Sequence, residues 1–235
     1  MPFFDTFFDL EPTGFGKWLQ YEKARQVLHR LQRQHPGIER ILEIGPGWGE
    51  FADLVVEAQV EYYGIEANRR QTESLSRRGM SVVVAYAPPI PMESEQFDAV
   101  VALNVLEHMV DLPMAIYFLR EMVRMVRPGG LICINCPDLL AVGSLFWDSD
   151  YTHNFPTTMY RVAQMFGDQG LKIVDATYFA GVVPGPLSTP VGLMARFFPE
   201  DIISFLLKPF LPRERIRRAR HTFFRNVFLI GRCDA

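Results

Sequence analysis

The sequence predicts a doubly wound α/β protein: a mostly parallel, seven-stranded sheet with helices on both faces and a helical insertion before the last strand. Three observations carry this reading. Short apolar runs alternate with longer segments of helical spacing. Several of the runs, such as FDAVVAL and LICINC, are continuously apolar, as in strands buried on both faces. Glycine or proline stands between most elements, as in Pro36-Gly37, Gly79 and Pro128-Gly129-Gly130.

The elements follow in order. Trp18, Leu19, Tyr21, Ala24, Val27, Leu28 and Leu31 space a helix over 17–34, which Pro36-Gly37 ends. Strands are expected over 40–44, 61–66, 80–85, 97–103 and 131–136, with helices over 50–59, 68–78 and 114–126 between them. A helix over 158–168 has Thr157 as its expected N-cap and Gly170 as its stop. Strands over 171–179 and 223–231 close the sheet. The segment 137–156 reads as a long loop, and long loops in compact domains are often functional. The domain plan is an N-terminal helical segment, 1–37, and a ligand-binding domain, 38–235, with an insertion at 181–220.

Bulk composition excludes little. The 235 residues suffice for one large domain, and a net charge of -3 offers no general attraction to nucleic acid. The N-terminal MPFFDTFFDL is aromatic but broken by Asp5 and Asp9, so no secretion signal is expected. No run reaches the ~18 apolar residues of a membrane span, and a cytoplasmic protein is expected. Cys133 and Cys136 form a C-x-x-C step on a strand, where positions i and i+3 face opposite ways, so core packing is expected rather than a shared metal.

The stretch ILEIGPGWG, 41–49, holds Glu43 and then Gly45, Gly47 and Gly49. A strand, a glycine turn and a helix N-terminus together let a ligand approach the backbone. Glu66, at the end of the second strand, stands where a carboxylate accepts hydrogen bonds from ribose hydroxyls. The combination points to a cofactor that contains a nucleoside. A dinucleotide turn would read G-x-G-x-x-G, and here the third glycine comes one residue early.

This arrangement resembles the E/D-x-G-x-G-x-G signature of class I S-adenosylmethionine-dependent methyltransferases. FDAVVALNVLEHM (97–109), VRMVRPGGLICINCPD (123–138) and the pair LKIVDATYF and FFRNVFLIG also resemble that family. The resemblance implies S-adenosylmethionine as cofactor, with Glu43 near its amino-acid end and Gly45, Gly47 and Gly49 lining its pocket. It implies Glu66 on the ribose; Ala67, Leu103 and Asn104 are expected along the cofactor pocket, and either Tyr86 or the backbone amides of the Tyr86-Ala87 step are expected to read the adenine. The family commonly has an acid after the third strand, where this chain has Ala85-Tyr86-Ala87. The D-Y-T-H run, 150–153, is similar to methyltransferases found with surface-polysaccharide enzymes.

For a hydroxyl acceptor, the expected proton-handling groups are His108, His153 and Glu107, at the carboxyl ends of the fourth and fifth strands. Each also has a structural reading as a cap or a buried hydrogen-bonding group. Two groups with an E-x-x-E-H step, ubiquinone-pathway O-methyltransferases and small-RNA 3'-end methyltransferases, bind a divalent cation there. In this chain the first glutamate is Asn104, which removes one charged ligand, so a divalent cation is possible there but not expected.

The expected acceptor is a small molecule or saccharide, and O-methylation the expected reaction. The alternatives are a cofactor-binding module without catalysis and a nicotinamide-dependent oxidoreductase. Residues 193–220 read either as a packed helical pair or as a lid or surface for a membrane or lipid-linked substrate. In the second reading Phe205, Leu206, Leu207 and Phe210 supply the apolar face, and Arg213, Arg215, Arg217, Arg218 and Arg220 the charge. The oligomeric state stays open.

Overall fold

A computed structural model describes residues 13–208 and 212–234. The N-terminal aromatic stretch and Phe210 lie outside the described residues. The strands are β1 (Arg40–Ile44), β2 (Glu61–Glu66), β3 (Ser81–Val84), β4 (Phe97–Leu103), β5 (Val126–Pro137), β6 (Leu171–Ala180), β7 (Val183–Pro184) and β8 (Arg225–Cys233). They form one sheet in the order β3-β2-β1-β4-β5-β8-β6-β7. The first five run parallel, and β8 lies antiparallel between β5 and β6. Two-residue β7, at the edge, is the strand added to the seven expected.

Helices α1 (Gly14–Gln34), α2 (Glu50–Glu57) and α3 (Arg69–Arg77) precede β4. A 3₁₀ turn, Leu106–His108, and α4 (Leu112–Met125) follow it. The segment expected as a loop after β5 holds two short helices, α5 (Leu139–Val142) and α6 (Leu145–Ser149), before α7 (Met159–Asp168). The insertion contributes α8 (Ser188–Arg196), α9 (Glu200–Leu207) and α10 (Arg213–Thr222). Gly185, Pro186 and Pro190 leave the start of the insertion without helical spacing, yet Ser188–Arg196 is helical. Pro190 stands in the first turn of α8, where a missing N–H costs no helical bond.

Alternation along the strands divides the core. Ile41, Ala99, Val101, Leu131, Cys133, Phe228 and Ile230 face one way, onto Val27, Leu31 and Phe51 of α1 and α2. Leu42, Ile44, Val100, Ala102, Ile132, Ile134, Cys136 and Leu229 face the other way, onto Phe118, Met122 and Phe166 of α4 and α7. Cys133 and Cys136 thus belong to opposite cores, both fully buried, and burial raises both thiol pKa values. The N-cap of α7 is Thr158, whose hydroxyl accepts from the Arg161 amide, one residue later than expected. Thr157 instead bridges to Asp138 at the end of β5.

The chain order reverses at β1, which has β2 on one side and β4 on the other. Ligands of open parallel sheets bind at such a switch point, beyond the carboxyl ends of the strands.

Candidate active site

Gly45, Gly47 and Gly49 all have positive φ, 72°, 55° and 86°, so each occupies backbone space that other residues resist. The turn is also tightly packed. A Cβ on Gly45 would stand 2.7 Å from Val105 Cγ2, and one on Gly49 2.4 Å from Leu75 Cδ2. The Gly45 amide donates to the Ile65 carbonyl at 2.8 Å, which ties the turn to β2.

Two buried acids support this turn. Glu43, next to last in β1, is almost without solvent, and the Tyr62 hydroxyl donates to its Oε2 at 2.8 Å. Burial pushes its carboxyl up to about 8, against the lowering effect of that hydrogen bond. Glu66 accepts the Gly47 amide at 3.1 Å on Oε2 and the Asn68 amide at 2.8 Å on Oε1. Its carboxyl is also raised by burial, opposed by these amides.

Over the turn lies a cavity of about 470 Å³, within the range of small-molecule sites. Glu43, Gly45, Gly47, Leu103 and Asn104 line it from the ends of β1 and β4. Gly49, Glu66, Ala67, Tyr86 and Ala87 are outside its lining. Glu66 acts on the cavity through Gly47. Tyr86 is more than half exposed beyond β3, and Ala67 and Ala87 are half-buried. Asn104 adopts a left-handed φ of 58°, its amide donates to the Asn135 carbonyl at 2.7 Å, and its Oδ1 accepts from Asn135 Nδ2 at 2.8 Å. These bonds clamp the end of β4 to β5.

Glu107, His108 and His153 line the same cavity. The Glu107 carbonyl accepts both the Asn154 amide at 2.9 Å and the Phe155 amide at 3.0 Å, which ties the segment after β5 to the turn after β4. The two imidazoles meet edge to face, with centroids 5.0 Å apart. The Thr152 hydroxyl donates to Asp150 Oδ1 at 2.7 Å. Its oxygen therefore accepts from His108 Nδ1–H at 2.8 Å. The Phe146 carbonyl, 2.9 Å from His153 Nδ1, must likewise accept a proton from that nitrogen. In both neutral rings the acceptor nitrogen is Nε2.

Burial and the neighbouring His153 hold the His108 imidazolium down to about 4, so the ring is neutral near pH 7. Burial lowers His153 as well, opposed by the Phe146 carbonyl and Asp150. Glu107 is fully buried, its Oε2 has no hydrogen-bond partner among the described residues, and burial pushes its carboxyl up to about 8. One ligating atom from each of Glu107, His108 and His153 lies within 4.8 Å of the others, close enough to share a cation.

Sequence reasoning missed Lys23, Glu50 and His221, and it singled out the D-Y-T-H run, 150–153, without the roles of Asp150 and Thr152. Lys23 reaches the cavity from α1, where burial in the protein lowers its ammonium to about 8, although the open cavity leaves it some solvent. A signal was present: Leu19, Lys23 and Val27 form one i, i+4 stripe, so the lysine stands on the buried face of its helix. His221 arrives from the end of α10, a helix whose place over the site depends on tertiary packing.

A family profile described as "Methyltransferase domain" matches residues 15–176. Among curated proteins, the chain is 28% identical over 177 residues to a ubiquinone biosynthesis O-methyltransferase of Mesorhizobium japonicum, covering 68% of each chain. It is 32% identical over 116 residues to "Probable tRNA methyltransferase 9B" of Bos taurus, which is 49% of this chain and 25% of that protein. The chain thus spans a quarter of the length of that relative. Among solved structures, a SAM-dependent methyltransferase from Archaeoglobus fulgidus aligns with a TM-score of 0.59 and 21% identity, over 92% of this chain and 99% of that one. A phosphoethanolamine N-methyltransferase 2 of Haemonchus contortus, in complex with S-adenosyl-L-methionine, aligns with a TM-score of 0.64 and 17% identity, over 99% of this chain and 60% of that one. The glycine turn at the switch point and the profile agree: the chain belongs to the methyltransferase domain family, with the fold of the class I enzymes that take S-adenosylmethionine as cofactor.

Proposed function

We propose that the protein transfers a methyl group from S-adenosylmethionine to a hydroxyl oxygen of a small-molecule or saccharide acceptor. The observation that carries this reading is the histidine pair. His108 and His153 line the same cavity as the glycine turn, and each has its Nδ1 proton engaged, so Nε2 is the basic nitrogen. Such a pair suits an acceptor whose proton must leave as its oxygen is methylated.

The residues fit the cofactor. Gly45 and Gly47 supply a wall without side chains, and Glu43 supplies a carboxyl for the cofactor's cationic amino end. Glu66 braces the turn and retains lone pairs for ribose hydroxyls. When bound, the cofactor supplies a methyl group already activated on a sulfonium. The chain then has to align the acceptor and remove its proton. His108 Nε2 or His153 Nε2 takes that proton, and Thr152 and Asp150 hold the His108 ring in the required tautomer. Leu19, Gln20 and Lys23 of α1 form part of the cavity wall, which supports counting this helix with the site rather than apart from it.

Choice of oxygen as the target follows the histidines and the ubiquinone-pathway relative. A specific observation favours a second reading: the unpartnered Glu107 Oε2 beside two imidazoles suits a divalent cation that would acidify the acceptor hydroxyl.

The test is transfer of a labelled methyl group to polyhydroxylated acceptors by the wild type and by His108→Ala and His153→Ala, with S-adenosylhomocysteine binding measured in parallel. The base reading expects at least one variant to bind and not turn over. Unchanged turnover per folded molecule in both removes it. Binding without transfer in the wild type would support the module reading instead. Loss of activity on chelation, restored by magnesium, would select the cation.

A further inference from the structure

Helix α9 buries none of its residues, although five of its eight are apolar. Ile203 and Leu207, one turn apart, face a cleft of about 640 Å³ that Phe198, Ile216, Ala219 and Phe223 also line. Ile202, Phe205 and Leu206 extend the apolar arc beyond that cleft and stand in solvent, with Phe205 79% exposed. On neighbouring α8 and at its C-cap, Met194 and Phe197 are each 73% exposed. Glu200, Ser204 and Asp201 form the polar side of α9, and the apolar arc is wider than the cleft covers, so an amphipathic helix presents its surplus apolar face to solvent.

Charge separates in the same place. Residues 188–222 carry seven arginines and lysines against three acids, a net +4. The total is -3, so the rest of the chain carries -7. Part of the basic charge is paired within the protein: Arg213 with Glu200 and Asp201, Arg220 with Glu200, and Arg217 with Asp148 of α6. The surplus remains on the arm that presents the exposed apolar side chains.

We propose that α8–α10 form a docking face for an anionic lipid bilayer. Apolar insertion flanked by arginines is the combination that binds such a surface. A second copy of the chain is disfavoured as the occupant, because symmetric pairing would set +4 against +4. No helix among the described residues is long and apolar enough to cross a membrane, so the contact is peripheral. The far end of α10 brings His221 and Thr222 to the catalytic cavity, so the docked face and the cavity wall share one helix.

The experiment is co-sedimentation of the full chain with phosphatidylcholine vesicles and with vesicles that also contain phosphatidylserine. Expected is stronger partitioning onto the anionic vesicles that weakens with added salt, as charges are screened over ~8 Å. Arg215→Gln and Arg218→Gln should each lower anionic partitioning by about fivefold. Phe205→Ser with Leu206→Ser should lower partitioning onto the anionic vesicles and leave the melting temperature unchanged, because both side chains are exposed. Binding to neither vesicle overturns the proposal, whether the protein sediments as a monomer, with the face covered by its own chain, or as a dimer. Equal binding to both vesicle types overturns it as well.

Discussion

His108 Nδ1 lies 2.8 Å from Thr152 Oγ1, whose own proton goes to Asp150 2.7 Å away. The hydroxyl is a one-way adaptor: with its proton on the carboxylate, it can only accept from the ring. Thr152→Val keeps the shape and removes the acceptor, so either ring nitrogen then holds the proton. We expect Thr152→Val to lower kcat by about tenfold or more, and His108→Ala by ~100- to 10,000-fold if His108 is the base. S-adenosylhomocysteine affinity should be nearly unchanged in both. Nitrogen NMR of the imidazoles reads the tautomer directly. A Thr152→Val protein with wild-type kcat and an unaltered His108 tautomer would remove the relay from the mechanism.

A pH dependence follows from the buried carboxyls. Glu43 and Glu107 have ordinary values of 4.5 and stand at about 8 in the folded chain because burial disfavours their ionised forms. A raised folded pKa gives stability that is present below the unfolded value and lost as pH rises through the folded one. The histidines act oppositely, through a window between about 4 and 6.5 for His108 and His221, where stability rises with pH. Lys23, lowered from 10.5 to about 8, adds stability with rising pH only above about 8. Between 6.5 and 8 the carboxyls act without that opposition, so urea midpoints should fall across this interval. Glu43→Gln should flatten the fall. A midpoint that rises over the same interval would contradict the burial argument.

Much of the fold was legible because local and global signals agree. The period-two division of Cys133 and Cys136 could be read from spacing, and the two thiols do lie in opposite cores. The glycine turn could be read because only glycine tolerates three positive φ values in five residues. The helices of 137–156 and 181–196 could not, since short segments punctuated by proline have little periodicity and depend on packing. Thr157 and Thr158 are equivalent as caps in sequence; the bridge from Thr157 to Asp138 decides between them. In the cavity, Glu43, Leu103, Asn104, Glu107 and His108 follow from the strand ends. Asp150 and Thr152 gain their roles only when the Asn154 and Phe155 amides find the Glu107 carbonyl, a contact that no spacing encodes.

The glycines should separate by role. Gly47 faces the cavity, so Gly47→Leu would fill cofactor space and strain a φ of 55°. We expect loss of S-adenosylhomocysteine binding with a stability cost of about 1–2 kcal/mol. Gly49 is outside the cavity lining, and its Cβ would meet Leu75 and the Arg78 guanidinium, 2.4 and 2.5 Å away. Gly49→Ala should therefore act first on stability. Calorimetry and thermal melts on both variants decide; a Gly47→Leu protein that binds the cofactor product normally would move the site elsewhere.

The last prediction concerns Asp138 and Arg225. Asp138 is fully buried at the end of β5, and its Oδ2 accepts from Arg225 Nε at 2.9 Å and from a second guanidinium nitrogen. Arg225 in β8 also donates to Thr189 of α8 at 3.0 Å and lies over the Tyr178 ring, 4.3 Å from its centroid. One ion pair thus joins β5, β6, β8 and the start of the insertion. Both charges are largely removed from water, so deleting one leaves the other uncompensated, typically at about 3–5 kcal/mol. Asp138→Ala should lower Tm by about 10 °C for a domain of this size. Asp138→Asn, which keeps an acceptor oxygen, should lose less. Replacing both partners, Asp138→Ala with Arg225→Met, should recover part of the loss, because no buried charge then stands alone. If the double variant is no more stable than Asp138→Ala, the cost lies in the hydrogen bonds around β5 rather than in the stranded guanidinium.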